Sequence, residues 1–329
     1  MHLSPEERAV IDRHRPRLGH RWNIDRGRGL IYAVIDHGDE PALGEVLLSN
    51  HADSEQALDQ ACRLARSFSI RAGLLGLASG GAAAVVVADP ALDREGCVRL
   101  LHERLPSTPV RMLAGAGLHD AAERLGTPVV HDPELLARVR ARVLEACLRP
   151  VLPQLEGRSA VVLGAEARGR DLAAALHGRG VEVSLWDPSP DLARTTAEAL
   201  GLRVLDGEWA DAEVDVLVPC GEEAVIDAAV AQRLGARVVC GGAPRVFAST
   251  DARTTLLERG RWCVPEILAA TAEPVALAVA TGSLDQTDAL AQLDQTATEV
   301  LTEPHGAHDR AITLAVQRSK AAQSRPRKA

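Results

Sequence analysis

VVLGAEARGRDLAAALHGRGVEVSLWD, residues 161–187, decides the fold. An apolar run stops at Gly164, an Ala/Leu-rich helical segment follows, and a second apolar run ends at Asp187. Gly164 ends the first strand, Ala165 lies in the turn, and Gly169 falls on the last glycine of a G-x-G-x-x-G pattern between strand and helix. Asp187 closes the second strand, where a carboxylate accepts hydrogen bonds from a ribose 2′-OH. The middle glycine is replaced by Glu166. That position ordinarily lacks a side chain so that backbone meets pyrophosphate, and close like charges repel by up to ~4 kcal/mol at intermediate dielectric. Two readings stay open. In one the loop binds a dinucleotide, with Glu166 rotated aside or offset by Arg168 or Arg170. In the other the scaffold is kept for packing, Glu166 is an exposed helix-start carboxylate, and Asp187 caps a helix beginning near Pro188.

Outward from this stretch the pattern continues. SAVVLG (159–164), VEVSLWD (181–187), VDVLVPC (214–220) and ARVVCGG (236–242) read as buried strands, with helices near 168–178, 191–200 and 224–234. Short apolar runs alternating with helices specify a parallel sheet covered on both faces, a doubly wound Rossmann domain over 159–282. Upstream, Pro133 to about 155 predicts a connecting helix with Leu135, Leu136, Val139, Val143, Leu144 and Cys147 as its apolar stripe, ended by Pro150 and Pro153, so the connector is assigned to 133–158. Residues 1–132 predict a helix capped by Ser4 with Glu7, strands at 30–36, 44–49, 83–89 and 108–113, and helices at 54–68 and near 93–104. After about 282 the chain reads as helical and is assigned back to the first domain (1–132 and 283–329). The fold class is therefore α/β, with two domains. The terminal SKAAQSRPRKA reads as disordered.

Composition narrows the function. The net charge of −8 argues against a nucleic-acid surface. No apolar run reaches the ~18 residues of a membrane span, and the polar N-terminus lacks a signal-peptide core, so a cytoplasmic protein is expected. The six cysteines form no CxxC pair and read as reduced, buried thiols. The histidines lack metal-ligand spacing, so no metal is expected. His51 and His131, near strand ends, read as functional or as solvated loop residues, the latter being simpler. Only two of 37 basic residues are lysines, Lys320 and Lys328. Chemistry that needs a titratable amine therefore has no residue in the body of the chain, because arginine stays protonated.

Several segments together resemble the Glu/Leu/Phe/Val amino-acid dehydrogenases, leucine dehydrogenase in particular. They are GLIYAVIDHGDEPALGEVLL (29–48), ACRLARSFSIRAGLLGLASGGA (61–82), 159–187, VDVLVPCGEEAVID (214–227), ARVVCGGAP (236–244) and CVPEILAATAEPV (263–275). The resemblance implies an N-terminal mixed α/β domain that oligomerises and is completed by C-terminal helices, facing a Rossmann domain across a cleft. It implies oxidative deamination of an L-amino acid with NAD(P)+, with Gly164, Ala165, Gly169, Asp187, Pro219 and Cys220 on the cofactor side.

The catalytic positions depart from the family. Its water-activating lysine falls at Ala83. Its general-base aspartate falls at Gly117 or an adjacent small residue. Its substrate-positioning asparagine falls at about Ala270. An asparagine pair becomes Pro244-Arg245, and Glu45 and Leu47 replace a glycine and an arginine. Its substrate-carboxylate lysine falls at Arg71, which reads either as a bidentate holder of a small carboxylate ligand or as a surface or interdomain salt bridge. Cys220 reads as a structural thiol or a nucleophile, and His119-Asp120 as a displaced acid–base pair or a loop. Three functions follow. The first is a pseudoenzyme acting as a binding, regulatory or partner subunit. The second is a repurposed NAD(P)-dependent oxidoreductase acting on an amino-acid-derived molecule. The third is a chain active only in a hetero-oligomer with an intact relative. A homo-oligomer is the other expected assembly, and NAD is a cofactor in some of these readings and not in others.

Overall fold

The first helix, α1 (Pro5–His14), begins with a reciprocal cap: Ser4 Oγ accepts from Glu7 N at 3.1 Å, and Glu7 Oε2 accepts from Ser4 N at 2.7 Å. Glu7 is buried there, accepts from the Tyr32 hydroxyl and lies 3.3 Å from Arg21 Nε, so a buried carboxylate is held by partners on the sheet beneath. These coordinates are a computed structural model that describes residues 3–24, 29–36, 42–49, 53–88, 99, 101, 103–104, 110–114, 132–221 and 224–324. The chain divides into two compact units.

The first unit comprises Met1–Pro133, Glu273–Asp285 and Leu314–Ala329. Its sheet runs β1 (Leu18–Ile24), β2 (Gly29–Ile35), β4 (Gly81–Ala88), β3 (Ala42–Ser49), β5 (Val110–Ala114) in space. The β1–β2 and β2–β4 pairs are antiparallel; β4–β3 and β3–β5 are parallel. β1 has no counterpart among the strands read from sequence; its alternation of Leu18, Trp22 and Ile24 is interrupted by His20. Helix α2 (Ser54–Leu74) extends six residues past the expected end at 68. Its apolar face packs on Tyr32, Val34, Ala83 and Val85 through Ala57, Leu58, Ala61, Leu64 and Ala65. Contact is closest at Gly81, whose N–H donates to Ser69 Oγ at 2.7 Å and where a Cβ would stand 1.9 Å from the Ala65 carbonyl oxygen. Among the described residues between β4 and β5, Arg99, Leu101, Glu103 and Arg104 are helical.

The second unit comprises Glu134–Ala272 and Gln286–Thr313. Its sheet is wholly parallel, in the order β11 (Trp262–Cys263), β10 (Val238–Val239), β9 (Val216–Pro219), β6 (Ser159–Leu163), β7 (Glu182–Trp186), β8 (Arg203–Val204). Numbered from β6, this is 6-5-4-1-2-3, the dinucleotide-binding arrangement with its topological switch between β6 and β9. Helices α3 (Pro133–Leu148), α4 (Ala167–His177), α5 (Pro190–Leu200), α6 (Ala228–Arg233), α7 (Thr250–Glu258) and α8 (Glu266–Ala269) accompany it. α3 stops at Leu148, two residues before Pro150, and is tied to α4 by Arg140 Nη1–Asp171 Oδ2 at 2.8 Å, both side chains nearly buried. The helix expected over 224–234 starts only at Ala228, capped by Asp227, because Ala224 is left-handed (φ +62°) and Ile226 bridges to Phe247.

Helices α9 (Ala272–Ala280), α10 (Gln286–Val300) and α11 (Ala307–Gln323) complete the chain. By contacts, Gln286–Thr313 groups with the second unit and α11 from Leu314 onward with the first. The sequence division keeps all of 283–329 with the first. The terminal stretch expected to be disordered is helical through Gln323. Arg318 Nη1 donates to the Leu74 carbonyl at 2.7 Å, satisfying an open carbonyl at the end of α2. No described helix is long and apolar enough to cross a membrane.

Candidate functional site

At the switch point of the second unit, the backbone does what the glycine spacing requires. Gly164 has φ +100°, and a Cβ there would lie 2.8 Å from Gly221 N. A Cβ on Gly169 would meet the Gly164 carbonyl oxygen at 1.8 Å, so α4 approaches the turn as only glycine permits. Across the switch, Cys220 N and Gly221 N both donate to the Leu163 carbonyl, at 2.7 and 3.0 Å. Pro219 ends β9, and its carbonyl accepts from Ala243 N at 3.0 Å.

Asp187 is already engaged: Oδ2 accepts from Ala165 N and Oδ1 from Ser189 N, each at 2.8 Å. It therefore ties the glycine turn to the end of β7. The cap expected of it belongs to Ser189, whose Oγ accepts from Leu192 N at 3.4 Å. Glu166 is the N-cap of α4 and exposed, and its carboxylate accepts no capping hydrogen bond from the helix N–H groups. Its carboxylate stands where the helix dipole favours an anion.

Cys220 is buried, and its thiol donates to the Val218 carbonyl at 3.4 Å. Burial pushes it up to about 12, with Arg168 and Arg140 opposing only in part. A thiol that stays protonated at neutral pH is no nucleophile. Cys62, Cys147, Cys240 and Cys263 are likewise free and buried. Burial raises Cys62 and Cys263 to about 12 as well. Unfolded thiols ionise near 9.0 while these three hold their protons in the fold. Their contribution is therefore complete below that pH and is lost as pH climbs from 9 toward 12. The urea midpoint is expected to fall from about pH 8 to about pH 10, and less steeply in Cys220→Ala. Iodoacetamide at about pH 8 is expected to label Cys220 only after denaturant is added.

In the first unit, Arg71 sits on the last turn of α2 with its side chain 1% exposed. Its Nε donates to the Ser67 carbonyl at 3.3 Å, and its guanidinium carbon stands 4.7 Å from the centre of the Phe68 ring. Glu273, 4% exposed, places Oε2 3.9 Å from Arg71 Nη1. Arg71 is thus not at the surface, and Glu273 lies with it in the first unit. Nothing in its local sequence names Glu273, which comes from α9.

Residues 184–329 match the model of the Glutamate/Leucine/Phenylalanine/Valine dehydrogenase family. The leucine dehydrogenase of Bacillus subtilis is 24% identical over 267 residues, covering 73% of this chain and 71% of the relative. The structure of L-tryptophan dehydrogenase from Nostoc punctiforme superposes with a TM-score of 0.70 at 17% identity, over 96% of this chain and 99% of that one. A hetero-hexameric glutamate dehydrogenase from Thermus thermophilus (Leu bound form) gives 0.70 at 19%, over 96% and 94%. The chain is thus similar to the Glu/Leu/Phe/Val dehydrogenases, in sequence most clearly over residues 184–329 and in fold along nearly its whole length.

Ala83 has no exposure and lies in the apolar cluster under α2, beside Val34 on β2 and Glu45 on β3 in register. Glu45 is itself buried. Ala270 is buried at the end of α8. Arg245 donates from Nη2 to the Ala248 carbonyl at 3.0 Å and accepts at its own carbonyl from Ala224 N. Gly117, His119, Asp120, His51 and His131 lie outside the described residues. Lys320 is exposed in the last turn of α11, and Lys328 lies outside the described residues. Among the described residues, no group of three or more His, Cys, Asp or Glu side chains is placed to hold a metal.

Proposed function

We propose that this chain has lost oxidative deamination and serves as a binding, regulatory or partner subunit built on the dehydrogenase fold. Ala83 carries the reading. The residue matching the family's water-activating lysine is a methyl group enclosed by Tyr32, Val34, Ala61 and Ala65. Ala270 likewise replaces an amide with a methyl. A general acid–base group contributes roughly 10²–10⁴-fold to such a reaction, and no lysine elsewhere in the body replaces the missing one. The partner role draws support from the hetero-hexameric assembly of the Thermus glutamate dehydrogenase. Assembly with itself or with an intact relative is resolved by native mass spectrometry of the chain expressed alone and with such a relative. The reading is tested by thermal shift with L-amino acids and 2-keto acids. No saturable rise in Tm is expected, whereas a rise that grows with ligand as RT ln(1 + [L]/Kd) would show a working substrate site.

A second reading, a repurposed NAD(P)-dependent oxidoreductase, is favoured by one observation: Gly164 and Gly169 keep the backbone geometry of a dinucleotide turn. Gly164, Ala165, Gly169 and Asp187, with Pro219 and Cys220 on the facing strand end, would hold the dinucleotide, which supplies hydride acceptance when bound. Backbone and glycines fit it; Glu166 does not. Glu166→Gly is expected to tighten NADH binding about tenfold, the equivalent of ~1.4 kcal/mol, in a fluorescence titration. Unchanged affinity would remove the carboxylate from the account.

A further inference from the structure

We infer that the outward face of α11 is a self-complementary contact, on which a second copy of this chain packs antiparallel about a two-fold axis.

Helix α11 buries its small residues and exposes its larger apolar ones. Ala307, Ala311 and Ala315 are at most 2% exposed, whereas Ile312 and Val316, one turn apart, are 36% and 46% exposed. A single apolar side chain in water needs no explanation. This pair is different because it forms the centre of an ordered stripe. At about 100° per residue, Asp309, Ile312, Thr313, Val316 and Lys320 lie along one side of the helix, opposite the buried alanines. All five are exposed. Asp309 stands in the first turn and Lys320 in the last, about three turns away.

The charges name the occupant. A parallel copy of the helix would set carboxylate against carboxylate and amine against amine. An antiparallel copy sets Asp309 against the partner's Lys320 at one end and Lys320 against the partner's Asp309 at the other. In that same register Thr313 and Val316 lie opposite the partner's Val316 and Thr313, so one alignment joins both the charges and the apolar centres. The stripe is therefore complementary to itself, as an isologous two-fold contact requires, and it closes at two copies. Exposed ion pairs set direction and register more than they add affinity. Affinity comes from covering Ile312 and Val316. One helix face is narrow beside a standard interface, so the pairing is concentration-dependent.

The test is sedimentation velocity of the full-length chain over a series of concentrations, at low salt. The mass of the wild-type species is expected to double as concentration rises. K320E and D309K each make both charged ends alike, and each alone is expected to stay at half the wild-type mass. Mixed one to one they are expected to recover it, because K320E then presents two carboxylates to two amines of D309K. I312E/V316E removes the apolar centre, is expected to stay at half mass, and carries the test with K320E if D309K does not fold by circular dichroism. Three results would overturn the inference: a wild type with one mass at every concentration, K320E or I312E/V316E assembling as the wild type does, or a mixture of folded K320E and D309K no heavier than its components. Deamination by the wild type would defeat the proposed function and leave this contact standing. A wild type that never doubles would do the reverse.

Discussion

Ala83→Lys is expected to return no deamination of any L-amino acid and to destabilise the first unit by about 3 kcal/mol, from overpacking together with a buried charge. The new side chain would start inside the layer between α2 and the sheet, where Ala61 and Ala65 leave room for a methyl group. The polar group nearest in register is Glu45, already buried on β3. Pairing with it would ease the charge while holding the amine away from water. The measurement is urea unfolding followed by circular dichroism, alongside an NAD+ reduction assay. Full folding stability with recovered turnover would mean that position 83 opens onto a reactive site after all.

Gly169→Ala should unfold the second unit at markedly lower urea, with a loss of about 3 kcal/mol or more, because one methyl would drive α4 away from the Gly164 turn. Gly201→Ala is the matched control. Gly201 is left-handed at φ +68° with open space around its Cβ direction, so that change carries only backbone strain, about 1 kcal/mol. Trp186, Trp209 and Trp262 all lie in the second unit and report its unfolding. Equal losses in the two variants would show that the close approach of α4 to the turn is not maintained in solution.

These predictions separate what the sequence carries from what it hides. The β6–α4–β7 turn is legible because its glycines, apolar runs and closing aspartate are local, and the structure uses each where the spacing puts it. The mixed first sheet is legible in β2, β3 and β4, whose apolar residues run on or alternate. It is not legible in β1, a polar strand defined only by its pairing with β2. The two-residue strands β8, β10 and β11 are too short to impose a period, and only β10 falls inside a run long enough to notice. At the candidate site, the alanine at position 83 can be read directly. That it faces the underside of α2 cannot, because burial depends on which face of β4 the helix covers. Arg71 is found from its neighbours in sequence, but its carboxylate partner arrives from α9, beyond the whole second strand–helix series. Asp187 shows the same limit: its place at the end of β7 is plain, while its two backbone donors appear only when the turn is folded.

The most direct measurement is steady-state turnover by the purified wild-type chain, expressed in a host lacking amino-acid dehydrogenases, with NAD+ or NADP+ and a panel of L-amino acids that includes leucine, valine, tryptophan and glutamate. The account predicts no formation of reduced cofactor above the enzyme-free rate. Sustained reduction with any of these substrates, proportional to protein and abolished by heat, would contradict it.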